Sequence, residues 1–318
     1  MEFRGTGYWA LILGGSSGIG LATAHKLAKH GMNLAIVHRD RKGAMAGIDA
    51  EFAKIREHGV ELLTFNTNAL APEGIQEVLG GLEAKLGTSG PAPSKPAGRV
   101  RLVLHAVALG NLKPLAPYER KPAGAVDELA KSLKLDRATL QTAIDQVFAQ
   151  GGYELADAAT PPDYGDALLT DEDFAQTVYN MGGNLLSWVR QIWDRKMFAA
   201  DARVIGLTSE GNTVAWRGYA AVAAAKSALE SASRAIAREF GPHGIRSNIV
   251  QAGITPTKAL ALIPGSDHLK AQGLRRNPLG RLTTPGDVAN TLALLTTDEA
   301  AWINGALIRV DGGEHISG

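Results

Sequence analysis

Short apolar runs alternating with helical patterns predict an α/β protein, a doubly wound parallel sheet carrying an inserted helical hairpin. Two observations support this. The chain opens with a strand, Tyr8–Leu13, a glycine-rich turn, Gly14-Gly-Ser-Ser-Gly18-Ile-Gly20, and an Ala/Leu/Lys-rich helix ending near Gly31. Strand and helix units then recur to a last apolar run at 306–310, with one break between about 113 and 169. The expected organisation is a single nucleotide-binding domain over 1–318, with 113–169 as an insertion.

The 318 residues are 45% hydrophobic, enough for a large core, and the formal net charge is only +1. That balance gives no electrostatic case for nucleic acid or a membrane surface as partner. Absence of cysteine excludes disulfides, thiol catalysis and cysteine metal sites. No metal site is expected. The first fifteen residues lack a signal-peptide pattern, and no apolar run approaches a membrane span, so a cytoplasmic protein is expected.

In chain order, the glycine turn is the first informative stretch. Gly14 permits the tight turn. Gly18 and Gly20 allow backbone to approach a pyrophosphate and the sheet, while Ser16, Ser17 and Ile19 complete the loop at a helix N-terminus. The second strand, 33–37, ends at His38-Arg39-Asp40-Arg41-Lys42, where an acid would select NAD. Arg39 beside His38 suits a 2′-phosphate, which favours NADPH over NADH. A solvated basic turn is the competing reading, because Asp40 lies within it. A helix at about 43–58 leads to a third strand, 60–65, and Asn68-Ala69 follows in position to touch an adenine. Helix 72–86 precedes a Pro/Gly/Ser surface loop at 88–98 and a fourth strand at 100–107.

The break at 113–169 contains two helical patterns, 124–133 and 136–150, between proline-rich linkers that include Pro114, Pro117, Pro122, Pro161 and Pro162. In the second, Leu140, Ile144, Val147 and Phe148 fall on one face. An insertion at the carboxyl edge of the sheet serves as a lid or substrate wall, or as an oligomer contact. Its tyrosines 118, 153 and 164 either reach the site or pack locally.

A long helix is expected from Asp171 to Met197, with Phe174, Val178, Met181, Leu185, Trp188, Val189 and Ile192 inward. Asn180 on that element is either a satisfied core amide or a site residue. After a fifth strand at 204–207 comes the stretch on which the reading turns, SEGNTVAWRGYAAVAAAK. Tyr219 and Lys226 are seven residues apart, two helical turns, and so share a face. A cation there is expected to favour the ionised phenol and lower its pKa. Ser209 sits at the strand end. A sixth strand at 245–250, a mixed loop at 252–265 suited to a mobile substrate loop, a helix at 285–296 and the last strand complete the chain.

Together these residues resemble the short-chain dehydrogenase/reductase superfamily, a Rossmann-type fold. The GGSSGIG turn at 14–20, Asn180, Ser209, NPLGRLTTPGDVA at 277–289 and NGALIRVDGG at 304–313 carry the resemblance. Ordinary members place the tyrosine four residues before the lysine, where this chain has Val222. The Tyr219-x6-Lys226 spacing is similar to that of the enoyl-acyl carrier protein reductases, as is His105 in His105-Ala106-Val-Ala. Three residues shift a phenol by about 4.5 Å along a helix. That suits an oxygen two carbons beyond the carbon that receives hydride.

The resemblance implies NADPH-dependent reduction of an enoyl thioester on acyl carrier protein or coenzyme A, in fatty acid biosynthesis. Tyr219 would stabilise the enolate and Lys226 would hold the nicotinamide ribose, with Ser209 and Asn180 as further catalytic positions. Cofactor contacts are expected from Gly14, Ser16, Ser17, Gly18, Ile19, Gly20, His38, Arg39, Asn68, Ala69, His105, Ala106, Lys226, Gly253, Thr255 and Thr257, the last at the pyrophosphate. A homotetramer is implied as well. Two readings compete: a carbonyl reductase, which Ser209 favours and Val222 opposes, and a non-catalytic NADP(H) sensor, which the retained Lys226 opposes.

Overall fold

The structure is a computed structural model and describes residues 2–87, 98–117 and 124–317. The expected loop at 88–98, Pro122 and Tyr118 lie outside these residues, apart from Gly98. Seven parallel strands are ordered β3-β2-β1-β4-β5-β6-β7. They are β1 Tyr8–Leu13, β2 Asn33–His38, β3 Leu62–Asn66, β4 Arg99–His105, β5 Phe198–Thr208, β6 Ile245–Ala252 and β7 Leu307–Val310. The order reverses between β1 and β4, which opens a crevice at the carboxyl ends of those strands.

Helices cover both faces because the strands are apolar on both. Leu11, Val103 and Val204 face one core, with Leu82 of α3 (Pro72–Leu86), Trp188 of α7 (Asn184–Asp194) and Leu229 of α8 (Ala220–Phe240). Their strand neighbours Ile12, Leu104 and Ile205 face the other. There they meet Leu27 of α1 (Gly18–Lys29), Phe52 of α2 (Met45–Arg56) and Leu292 of α11 (Pro285–Leu295). This period-two alternation on doubly covered strands is the physical content of the sandwich.

The expected hairpin is present as α4 (Gly124–Leu133) and α5 (Arg137–Ala149). Val126, Ala130, Leu140, Ile144 and Phe148 form its own small core, shared with Ala271 of α10 (Ser266–Arg276). Val147 is 49% exposed, so the inward face is narrower than the spacing predicted.

The long helix expected from 171 to 197 is interrupted. Between α6 (Asp171–Val178) and α7 lies a wide π-type turn, Tyr179–Gly183. A Cβ on Gly182 would stand 2.7 Å from the Ala225 carbonyl oxygen, so glycine lets this turn press against α8. Phe174 is 42% exposed rather than inward. The loop expected at 252–265 contains a short helix, α9 (Lys258–Ala261), capped by the Thr257 hydroxyl.

The strand starts opposite the crevice are tied by charge. Arg101 of β4 and Arg203 of β5 are fully buried, and both reach the Asp201 carboxylate, at 2.7 and 2.5 Å. Arg246 of β6 pairs with the same carboxylate. Carbonyls at the end of α11, on Leu295, Thr296 and Thr297, accept further guanidinium N–H groups, and Arg101 also pairs with Asp298 at 2.7 Å. Removal of Asp201 leaves the buried Arg203 guanidinium with carbonyl partners only among the described residues, while Arg101 keeps Asp298. Because Asp201 is itself partly exposed, the cost falls at the low end of the range for a broken buried pair. Asp201→Ala is therefore expected to lose about 3 kcal/mol in urea unfolding, and a loss within error of zero would show that the cluster carries no stability.

Candidate functional site

The glycine turn closes on itself. Gly14 has φ +90°, and a Cβ there would lie 2.7 Å from the Ala106 carbonyl oxygen. A Cβ on Gly20 would lie 2.1 Å from the Gly14 carbonyl oxygen, which no side chain survives. The start of α1 is thereby pulled into the crevice, with Ser17 at its N-cap and no side-chain cap bond. The first-turn N–H groups of a helix lack internal acceptors and favour an anion.

The crevice is a cavity of about 620 Å3. Of the sequence-predicted site residues, Gly14, Ser16, Ser17, Gly18, Ile19, Gly20, His38, Arg39, Asn68, Ala69, Ala106, Ser209, Tyr219, Lys226, Gly253, Thr255 and Thr257 line it. Two do not. His105 is buried behind the wall, and neither ring nitrogen has a hydrogen-bond partner among the described residues. Asn180 lies in the π-type turn with its side-chain amide 3.5 Å from the Leu109 carbonyl; its neighbour Met181 lines the cavity instead.

At the basic turn, His38 is buried and its Nδ1 lies 2.9 Å from Asp40. Arg39 is exposed at the cavity edge and makes no ion pair among the described residues. The competing solvated-turn reading therefore accounts for Asp40, which is occupied by His38, and leaves Arg39 available.

Tyr219 is the N-cap residue of α8, just ahead of its first turn, not inside the helix. Its phenol sits 3.3 Å from the Ser209 hydroxyl. It packs with Met181, Val222 and Ala225. Lys226, one turn and a half into α8, donates to the Leu207 carbonyl at 2.8 Å. The phenol's pKa is raised, not lowered as expected from the sequence. Burial opposes phenolate, and the Ser209 hydrogen bond only partly offsets it. Tyr219 is thus a protonated donor at neutral pH. Burial also lowers Lys226 to about 8, against a smaller opposing pull from Glu230. His105 is lowered to about 3, by burial first and the Lys226 charge second, and is neutral throughout the physiological range.

An ion cluster missed in the sequence forms the far wall. Arg276 of α10 pairs with Glu210 and, at 3.0 Å, with Glu314. Glu314 also accepts the Ile254 N–H at 3.0 Å. Burial raises the Glu314 pKa, while the Ile254 N–H and Arg276 act the other way. These bonds tie the residue after Ser209 to the 253–257 loop. The resemblance at 277–289 and 304–313 stopped one residue short of both Arg276 and Glu314. A buried-prone acid directly after the serine was the available signal.

Fold and site define a dinucleotide-binding α/β protein with a Tyr/Lys/Ser constellation. A family model described as "Enoyl-(Acyl carrier protein) reductase" matches residues 142–315, and one described as "short chain dehydrogenase" matches residues 8–89. The chain belongs to the short-chain dehydrogenase/reductase family of oxidoreductases.

It is 28% identical over 184 residues to the 3-oxoacyl-[acyl-carrier-protein] reductase FabG of Escherichia coli, covering 57% of this chain and 75% of that one. At 32% and 34% identity, it spans about half the length, 56% and 53%, of two further curated relatives. Among solved structures, an enoyl-(acyl-carrier-protein) reductase from Anaplasma phagocytophilum with NAD has TM-score 0.67 at 17% identity, over 99% of this chain and 94% of that one. A short-chain dehydrogenase from Burkholderia cenocepacia with NADP has TM-score 0.68 at 20% identity, over 99% of this chain and all of that one (100%). Among the described residues, no helix is long and apolar enough to cross a membrane.

The Lys226 environment has a measurable consequence. Its ordinary value is 10.5, so between about 8 and 10.5 the unfolded chain binds a proton that the folded chain does not. Stability from this group rises with pH across that window, and its full penalty lies below it. Wild type is expected to gain stability relative to Lys226→Met between pH 7 and 9.5. Parallel pH profiles for the two proteins would mean that the ammonium is not desolvated.

Proposed function

We propose that this protein reduces the C2=C3 double bond of an enoyl thioester with NADPH. One observation carries the reading: Tyr219, held protonated seven residues before Lys226, lines the same cavity as the glycine turn, while Val222 occupies the ordinary tyrosine position. The cavity fits a dinucleotide because the backbone cradle formed by Gly14 and Gly20 excludes any Cβ. Bound there, the nicotinamide supplies the hydride.

The residues then divide the work. First-turn N–H groups of α1 and the Thr257 region hold the pyrophosphate. Arg39 meets the 2′-phosphate, which favours NADPH over NADH. Lys226 holds the ribose hydroxyls and keeps the local potential positive. The Tyr219 hydroxyl donates to the thioester oxygen, so that negative charge developing on that oxygen as C3 accepts hydride is stabilised before C2 is protonated. Ser209 fixes the phenol's direction. We also propose acyl carrier protein or coenzyme A as the acyl carrier, fatty acid biosynthesis in the cytoplasm as the setting, and a homotetramer as the assembly. The insertion at 113–169 acts as a substrate wall.

Carbonyl reduction is the second reading, favoured by the 3.3 Å contact between Ser209 and Tyr219, which aims two hydroxyls at one oxygen. Turnover of NADPH with crotonyl thioester, set beside acetoacetyl thioester, separates the two. Enoyl turnover is expected, with Tyr219→Phe slower in kcat by about tenfold, ~1.4 kcal/mol of transition-state stabilisation. Arg39→Ala is expected to weaken NADPH binding by about tenfold while leaving NADH within about twofold. Turnover of the ketone alone would overturn the enoyl reading.

A further inference from the structure

A second cavity, of about 220 Å3, adjoins the first. Trp216, Tyr219 and Ile263 line both, so the catalytic phenol stands in the wall they share. The outer wall is built by the insertion. Tyr164 covers Gly218, whose φ is +70° and whose Cβ would lie 2.8 Å from the tyrosine ring. Pro162 covers Gly265, with φ +76° and a Cβ only 2.3 Å from the ring carbon. Both glycines are obliged twice, by left-handed backbone and by the side chain seated on them.

The insertion is braced in that position. Phe148 of α5 stacks on His268 of α10 at 4.7 Å between centroids, and Asp145 accepts from the Thr160 N–H at 2.7 Å. The Arg217 guanidinium donates to the Ala116 carbonyl at 2.6 Å. Leu269 of α10 closes the floor. Burial holds His268 below its ordinary pKa, so its ring adds no charge at neutral pH, and the Arg217 guanidinium, bonded to the Ala116 carbonyl, is the cation in the lining among the described residues.

The volume accommodates about seven water-sized groups at ~30 Å3 each. Aromatic and aliphatic side chains dominate the lining, which favours an apolar occupant over ordered water. We infer that this chamber, made by the insertion, receives the apolar group that the substrate carries beyond its reacting atoms, and so selects medium-length acyl groups over short ones. The inference rests on the acyl thioester reading for its ligand, but not on reduction taking place.

The test uses saturated thioesters, which cannot be reduced. Isothermal titration of the NADP+-loaded protein with butanoyl and octanoyl thioesters of N-acetylcysteamine is expected to show octanoyl binding tighter by about tenfold. Leu269→Trp fills the chamber and should bring that ratio below about threefold; Leu269→Phe should give an intermediate ratio. Unchanged NADP+ affinity in both variants would show that they are folded. A wild type with no preference, or a ratio that survives both substitutions, overturns the chamber. An intact ratio in a protein that turns over no enoyl substrate supports the chamber while sinking the reaction proposed above.

Discussion

A lysine ammonium buried at the end of a central strand, with a carbonyl rather than a carboxylate in contact, governs the chemistry of this crevice. Taking that charge out of water is costly, and the surrounding groups are arranged by the same low dielectric. His105 stays neutral because burial opposes its charged form and the Lys226 charge adds to that opposition. Tyr219 keeps its proton because burial opposes the phenolate. Lys226 thereby supplies a buried cation, and Tyr219 a neutral hydrogen-bond donor, to the same cavity. Such a combination suits an oxygen on which negative charge accumulates, as the proposed reaction requires.

The two ends of the sheet are held by different means. At the starts of β4, β5 and β6, three arginines converge on Asp201, and two of them, Arg101 and Arg203, also reach the carbonyl end of α11. At the carboxyl ends, Glu210, Arg276 and Glu314 join the segment after Ser209 to the loop that begins at Gly253. Strands fixed at one end by buried charge can carry irregular loops at the other. The loop that begins at Gly253 is held both by these polar bonds and by the buried side chains of Ile254 and Leu260.

What could be read from the sequence is what depends on near neighbours. Strand alternation, the glycine turn and the hairpin pattern are set by local periodicity, and seven strands and both inserted helices form in the expected order, though β5 begins at Phe198, ahead of its expected start at Val204. The interrupted helix at 179–183 was not visible, because the wide turn exists to bring Gly182 against a helix more than forty residues away. The direction of the Tyr219 pKa was misjudged for a related reason. Sequence spacing reports the nearby cation, while burial, the larger influence, is a property of the assembled core. His105 and Asn180 matched by position, yet side-chain direction is decided by the strand's alternation and by the π-type turn, and neither points into the cavity. Arg276 and Glu314 meet Glu210 only in the folded chain.

The seats of Pro162 and Tyr164 leave a trace that extends beyond this molecule. Gly265 and Gly218 are favoured by left-handed backbone and demanded more strictly by the inserted segment that lies on them; a relative with a shorter connection meets only the first demand. Across a set of family sequences, glycine at these two positions should therefore be inherited together with the length of the connection between β4 and α6. The pair would serve as a marker for sorting relatives into those that share this architecture and those that do not, before any of them is crystallised.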